Sequence, residues 1–130
     1  MRKLLPAFRA VFVFALVAAV VIPAVAFATS YTSTATFKVY LAGASRSYSG
    51  TNILYTATGT PSGTNPAATT YKVELYRDKL IDDYIGSKSF PRSGQYGVTW
   101  TNVGSGKYYF CFSKANDGIT EKLNPVLMRN

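Results

Sequence analysis

From Thr34 onward, apolar and polar residues alternate with period two over short stretches bounded by Gly, Pro, Asn and Ser. This is the pattern of strands with one buried face. Thr34–Leu41 places Phe37, Val39 and Leu41 on one face and Thr36, Lys38 and Tyr40 on the other. Asn52–Thr58 groups Ile53, Tyr55 and Ala57, and Thr70–Asp78 sets Tyr71, Val73 and Leu75 against Lys72, Glu74 and Tyr76. Further strands are expected over Tyr84–Phe90, over Gln95–Val103 alternating through Tyr96, Val98 and Trp100, and over Lys107–Lys114 with Tyr108, Phe110 and Phe112 inward. A last strand, Ile119–Met128, contains Pro125, which implies an edge position or a bulge because proline cannot donate to a ladder. Ala42–Thr51 reads as turn-rich, and Gly59–Ala67, with two prolines and two glycines, as a loop that stops a ladder. Asn116-Asp117-Gly118 reads as a hairpin turn, since Asn and Gly tolerate positive φ. About seven strands at this spacing predict an all-β fold, a single antiparallel β-sandwich with no helix after the amino terminus.

The first 28 residues follow a different rule. Arg2, Lys3 and Arg9 precede the unbroken apolar run Ala10–Ile22, then Pro23 and the small-residue pattern Ala26-Phe27-Ala28. That order is a secretory signal peptide, expected to form a helix and to be cleaved after Ala28, or after Ala26 through Ala24-Val25-Ala26. The alternative is a retained anchor, because Ala10–Ala28 approaches the length of a membrane span. The expected organisation is therefore a signal peptide over 1–28 and a secreted domain over 29–130, with membrane contact only through the uncleaved precursor. Cys111 is the single cysteine and lies far from the cleavage region, so no lipid-accepting cysteine follows the signal. One cysteine also excludes an internal disulfide, and the bland reading of Cys111 is a small buried apolar residue.

Removing the signal changes the charge balance. The chain has 14 Lys and Arg against 6 Asp and Glu; without Arg2, Lys3 and Arg9 the remaining 11 leave the domain at net +5. All ten tyrosines and the one tryptophan belong to it, a composition that favours strands over helices. Val103-Gly-Ser-Gly-Lys-Tyr108-Tyr-Phe110 resembles the G-x-Y-x-F corner of immunoglobulin-like, fibronectin-like and transthyretin-like sandwiches. The resemblance implies that the Tyr108 hydroxyl is tied to backbone across a corner, and it implies no activity.

The chemistry this sequence lacks narrows its function. There is no histidine, which removes Ser-His-Asp and Cys-His catalysis and the common zinc sites. Asp78, Asp82 and Asp83 form the one acidic cluster, without the spacing of a calcium loop, and read as turn carboxylates paired with Lys72, Arg77 or Lys79. Gly104-Ser105-Gly106 lacks the lysine and helix of a phosphate loop. The basic residues are dispersed, so no nucleic-acid partner is expected. No catalytic residue, metal site or cofactor is expected either.

What remains is tyrosine among cations. The outward phase is expected to carry Tyr40, Tyr76 and Tyr109 among Lys38, Lys72, Lys107 and Arg77, a surface suited to sugars, anionic wall polymers or protein partners. High β propensity alone accounts for the same tyrosines without any ligand. The expected function is a secreted, non-enzymatic module that binds a cell-surface or envelope component or another protein. The alternative is a secreted cationic antimicrobial or toxin-like effector.

Overall fold

The structure, a computed structural model, describes residues 29–65 and 68–130. The expected signal peptide over 1–28 lies outside the described residues. Nine strands follow in chain order: β1 (Ser30–Phe37), β2 (Tyr40–Ala42), β3 (Arg46–Tyr48), β4 (Ile53–Pro61), β5 (Thr70–Arg77), β6 (Asp83–Pro91), β7 (Gly94–Trp100), β8 (Gly106–Ser113) and β9 (Glu121–Arg129). They make two antiparallel sheets, a β-sandwich with no helix among the described residues. Sheet A has the order β1-β9-β4-β7. Sheet B has the order β2-β8-β5-β6, with β3 pairing the other half of β8.

The core lies where the alternation places it. Tyr55, Val73, Leu75 and Phe110 are buried between the sheets, together with Phe37, Phe112 and Trp100. Aromatic rings fill much of this space: the Tyr55 ring is 5.3 Å from that of Phe110 and 5.6 Å from that of Phe90. Buried phenols need partners, and the Tyr55 and Tyr71 hydroxyls meet each other at 3.1 Å. The Tyr108 hydroxyl donates to the carbonyls of Val103 and of Gly104, the latter at 2.9 Å. Tyr108 is thus tied to the corner that its motif implies.

Several expectations are corrected. Thr34–Leu41 is two strands: the chain leaves sheet A after Phe37 and enters sheet B at Tyr40. The switch breaks the alternation, so Val39, expected inward, is 45% exposed. Within Ala42–Thr51, β3 forms an edge strand and buries Tyr48. Strand β4 continues through Gly59 to Pro61, paired with Gly94 and Glu121, because a proline at a strand end leaves the ladder intact. Asn116-Asp117-Gly118 is a crossover between sheets, since β8 and β9 lie in different ones. Among the described strands, only β5 and β6 are both consecutive and directly paired. Strand β9 is central, between β1 and β4, so Pro125 is not at an edge. It sits in a bulge: Asn124 and Pro125 stand opposite Thr34 on one side and Thr58 on the other.

Candidate functional site

The outer face of sheet B carries an ordered tyrosine surface. Cross-strand register sets Tyr84 of β6, Tyr76 of β5 and Tyr109 of β8 in one row. Side chains at such positions are near neighbours. The Tyr76 and Tyr109 rings are stacked, with centroids 5.3 Å apart and planes 9° from parallel, and Tyr84 lies 5.5 Å from Tyr76. The next row holds Glu74 opposite Cys111, and the third holds Lys72 opposite Ser113, which pairs with Tyr40.

Hydrogen bonds fix these rings. The Tyr76 hydroxyl donates to Glu74 Oε2 at 2.7 Å, and Lys72 Nζ reaches Glu74 Oε1 at 3.1 Å. The Tyr109 hydroxyl donates to Asp82 Oδ2 at 2.6 Å. The Tyr40 hydroxyl donates to Cys111 Sγ at 3.2 Å. Donation to Glu74 pushes the Tyr76 phenol up to about 12, and donation to Asp82 raises that of Tyr109. The same bonds lower Glu74 and Asp82. The Tyr76 and Tyr109 phenols are therefore neutral and both carboxylates ionised at neutral pH. The face offers rings, carboxylate acceptors and the Lys72 ammonium in fixed positions.

Of the residues expected here, Tyr40, Tyr76, Tyr109 and Lys72 are brought onto this face, and Lys107 follows the same phase along β8. Lys38 stands exposed on the link between sheets. Arg77 is elsewhere, because it shares the parity of Leu75 rather than that of Tyr76. Its guanidinium donates to the Ser105 carbonyl at 2.9 Å and lies over the Tyr108 ring, 5.7 Å from the centroid. Tyr84, Glu74 and Asp82 belong to the face without having been singled out. Glu74 had the outward phase, but the tie between Tyr109 and Asp82 spans 27 residues and leaves no local signal.

A second group of charges lies at the end of the sandwich where β5 begins. Arg92 Nη1 meets Asp117 Oδ2 at 2.6 Å and Lys114 Nζ meets Asp117 Oδ1 at 2.7 Å. All three side chains are buried. The ammonium of Lys114 and the guanidinium of Arg92 hold the Asp117 carboxyl well below the usual carboxylate range. Glu121 is wholly buried beside them, with neither carboxylate oxygen hydrogen-bonded. Burial pushes its carboxyl up to about 7, against the pull of Arg92 and Lys114. Among the described residues, no group of three or more metal-ligating side chains comes together.

The chain is thus a two-sheet antiparallel β-sandwich with a tyrosine-lined outer face. No family model matches it, and no curated protein matches it. Among solved structures it is similar to SPBc2 prophage-derived protein YomS, at 13% identity and TM-score 0.44, covering 82% of this chain and 97% of that one. It is also similar to Aeromonas hydrophila PliG, a periplasmic lysozyme inhibitor of g-type lysozyme, at 13% identity and TM-score 0.45, covering 82% and 93%. The Yersinia pseudotuberculosis-derived mitogen is similar at 16% identity and TM-score 0.39, covering 80% and 85%. No residue role is carried over from these likenesses.

Proposed function

We propose that this chain is an exported, non-enzymatic module that binds a cell-surface glycan through the outer face of sheet B. The observation that carries the reading is the row of Tyr84, Tyr76 and Tyr109 with Glu74 and Asp82 locked to the phenols. Aromatic rings pack against the apolar faces of sugars, and ionised carboxylates accept hydrogen bonds from sugar hydroxyls. The two carboxylates offset much of the positive charge expected on this face, so the arrangement suits a hydroxyl-rich polymer better than a polyanion. Support for a non-enzymatic role comes from the acids themselves. Five of the six, Glu74, Asp78, Asp82, Asp83 and Asp117, hold structural partners, and the sixth, Glu121, has no hydrogen-bond partner and is wholly buried out of reach of a ligand.

The test is co-sedimentation of residues 29–130 with purified cell walls at low and high salt. Retention is expected to persist at high salt, because stacking and hydrogen bonds to uncharged sugar hydroxyls are not screened as attraction between opposite charges is. It is expected to fall sharply in the Tyr76→Ala/Tyr109→Ala double variant. Absence of retention at low salt, or retention unchanged in the double variant, overturns the reading. Growth inhibition of other strains without wall retention favours the effector alternative.

A further inference from the structure

The strands at the edges of the two sheets differ in how open they are to pairing. An edge strand presents a row of unpaired N–H and C=O groups, and short length, charge or a bulge ordinarily keeps another strand from adding to it. In sheet B one edge is divided between β2 and β3, three residues each, and the other, β6, carries Lys88 and a bulge in which Ile85 is the extra residue. In sheet A, β1 lies against the bulge of β9, so its ladder is interrupted at Thr34. Strand β7 has none of these devices. Gly94–Trp100 contains no charged residue and no proline, and seven consecutive pairs join it to β4 without a register shift. It ends its sheet, and every residue in it except Val98 and Trp100 is exposed.

The side chains of β7 decide what kind of strand fits beside it. Tyr96, Val98 and Trp100 share the inward phase, yet the Tyr96 side chain is left 40% exposed at the rim of the sandwich. Gln95, Gly97 and Thr99 share the outward phase. Counted from Gly97, the strand is therefore alike in both directions: first an apolar residue on the inner face, then a polar one on the outer face. A second copy of β7, laid antiparallel about an axis at Gly97, sets Tyr96 opposite Val98 and Gln95 opposite Thr99, each pair occurring twice. An aromatic ring opposite a β-branched side chain is a favourable cross-strand pair. No charge meets a like charge, and the glycine on the axis brings no side chain against its own copy. A strand of unrelated sequence would satisfy the same backbone groups without this side-chain match.

We propose that β7 pairs antiparallel with β7 of a second copy of this chain about a two-fold axis at Gly97, joining the two four-stranded sheets A into one continuous sheet. The same surface is used on both copies, so the contact closes on itself and stops at a dimer. The axis of an antiparallel pair stands perpendicular to the sheet. The outer faces of sheet B in the two copies therefore point to the same side and stay uncovered, and the pairing is independent of what those faces bind.

Sedimentation velocity of residues 29–130, which hold every described strand, tests this at concentrations up to about 1 mM, because a contact of one strand pair binds weakly. The weight-average sedimentation coefficient is expected to rise toward that of a dimer and no further. Over the same range, amide hydrogen exchange should slow in Gly94–Trp100 and stay unchanged in β1 and β6. The Gln95→Lys/Thr99→Lys double variant alters two exposed positions and sets like charges opposite each other twice, so its association should be weaker by about 10-fold. Gln95→Glu/Thr99→Glu should weaken it likewise. An equimolar mixture of the two double variants sets opposite charges across the axis and should restore a 1:1 dimer. Association undiminished in either double variant, a mixture no more associated than its components, or slowed exchange in β1 or β6 instead of β7 overturns the proposal. So does a monomeric wild type, which would leave this edge to a strand of a different protein.

Discussion

The two ends of the sandwich hold acidic residues at nearly the same distances from their partners, with unequal consequences. Where β5 begins, Asp117 sits 2.6 Å from Arg92 and 2.7 Å from Lys114, all out of water. Where β5 finishes, Asp82 accepts from Tyr109 at 2.6 Å and Asp83 meets Lys79 at 2.6 Å, all in contact with solvent. A water-exposed pair exchanges one set of hydrogen bonds for another and contributes little. A buried set leaves an uncompensated charge when one member is removed. The difference teaches that burial, rather than contact length, decides which of these carboxylates the fold depends on.

Phe110→Ala sets the scale, since this ring packs between the sheets away from both ends. It should cost about 3–5 kcal/mol in urea unfolding at constant m-value. Asp117→Asn should come next, clearly lowering the urea midpoint, while Asp82→Asn leaves it within experimental scatter. Equal shifts in the two would show that burial is not what separates the ends. Tyr108→Phe removes the hydroxyl bonds to Val103 and Gly104 and should cost roughly 1–2 kcal/mol. A neutral result would mean that the corner is held by packing alone.

The finest test is pH. Glu121 is raised from 4.5 to about 7 by burial, so between those values the unfolded chain ionises while the folded one keeps its proton. Stability should therefore fall as pH rises from 4.5 to about 7 and then level off. Asp117, lowered from 3.8, acts in the opposite sense: its contribution is complete above 3.8 and is lost as pH drops further. Glu121→Gln should abolish the decline between 4.5 and 7 and leave the acid limb. A wild-type profile flat across that window would remove Glu121 from this account.

Much of the fold was legible because it follows from local alternation. Tyr71, Val73 and Leu75 face inward as their spacing dictates, and Tyr108 takes its corner from a short motif. What escaped depends on where the chain crosses between sheets. Val39 keeps the right spacing from Phe37 yet is exposed, because two residues of crossover separate the strands. The buried charges were illegible for a related reason: Arg92 meets Asp117 only when turns 25 residues apart close over the same end. At the candidate site the outward tyrosines could be read from phase, but their carboxylate partners came partly from a loop. Arg77 could have been excluded by parity alone, since it falls two residues after Leu75.

The bulge in β9 works as a parity switch. Before it the odd-numbered residues Glu121 and Leu123 point inward, and after it the even-numbered Val126 and Met128 do, while β1 and β4 keep one parity throughout. Because β9 is flanked on both sides, neither neighbour can absorb a miscount. Deleting one residue at 124 or 125, by contrast, would leave a single residue opposite Thr34 and Thr58, a regular ladder that keeps Glu121, Leu123, Val126 and Met128 inward. The break in alternation therefore marks the one point in β9 where the strand can lose a residue without turning any buried side chain outward.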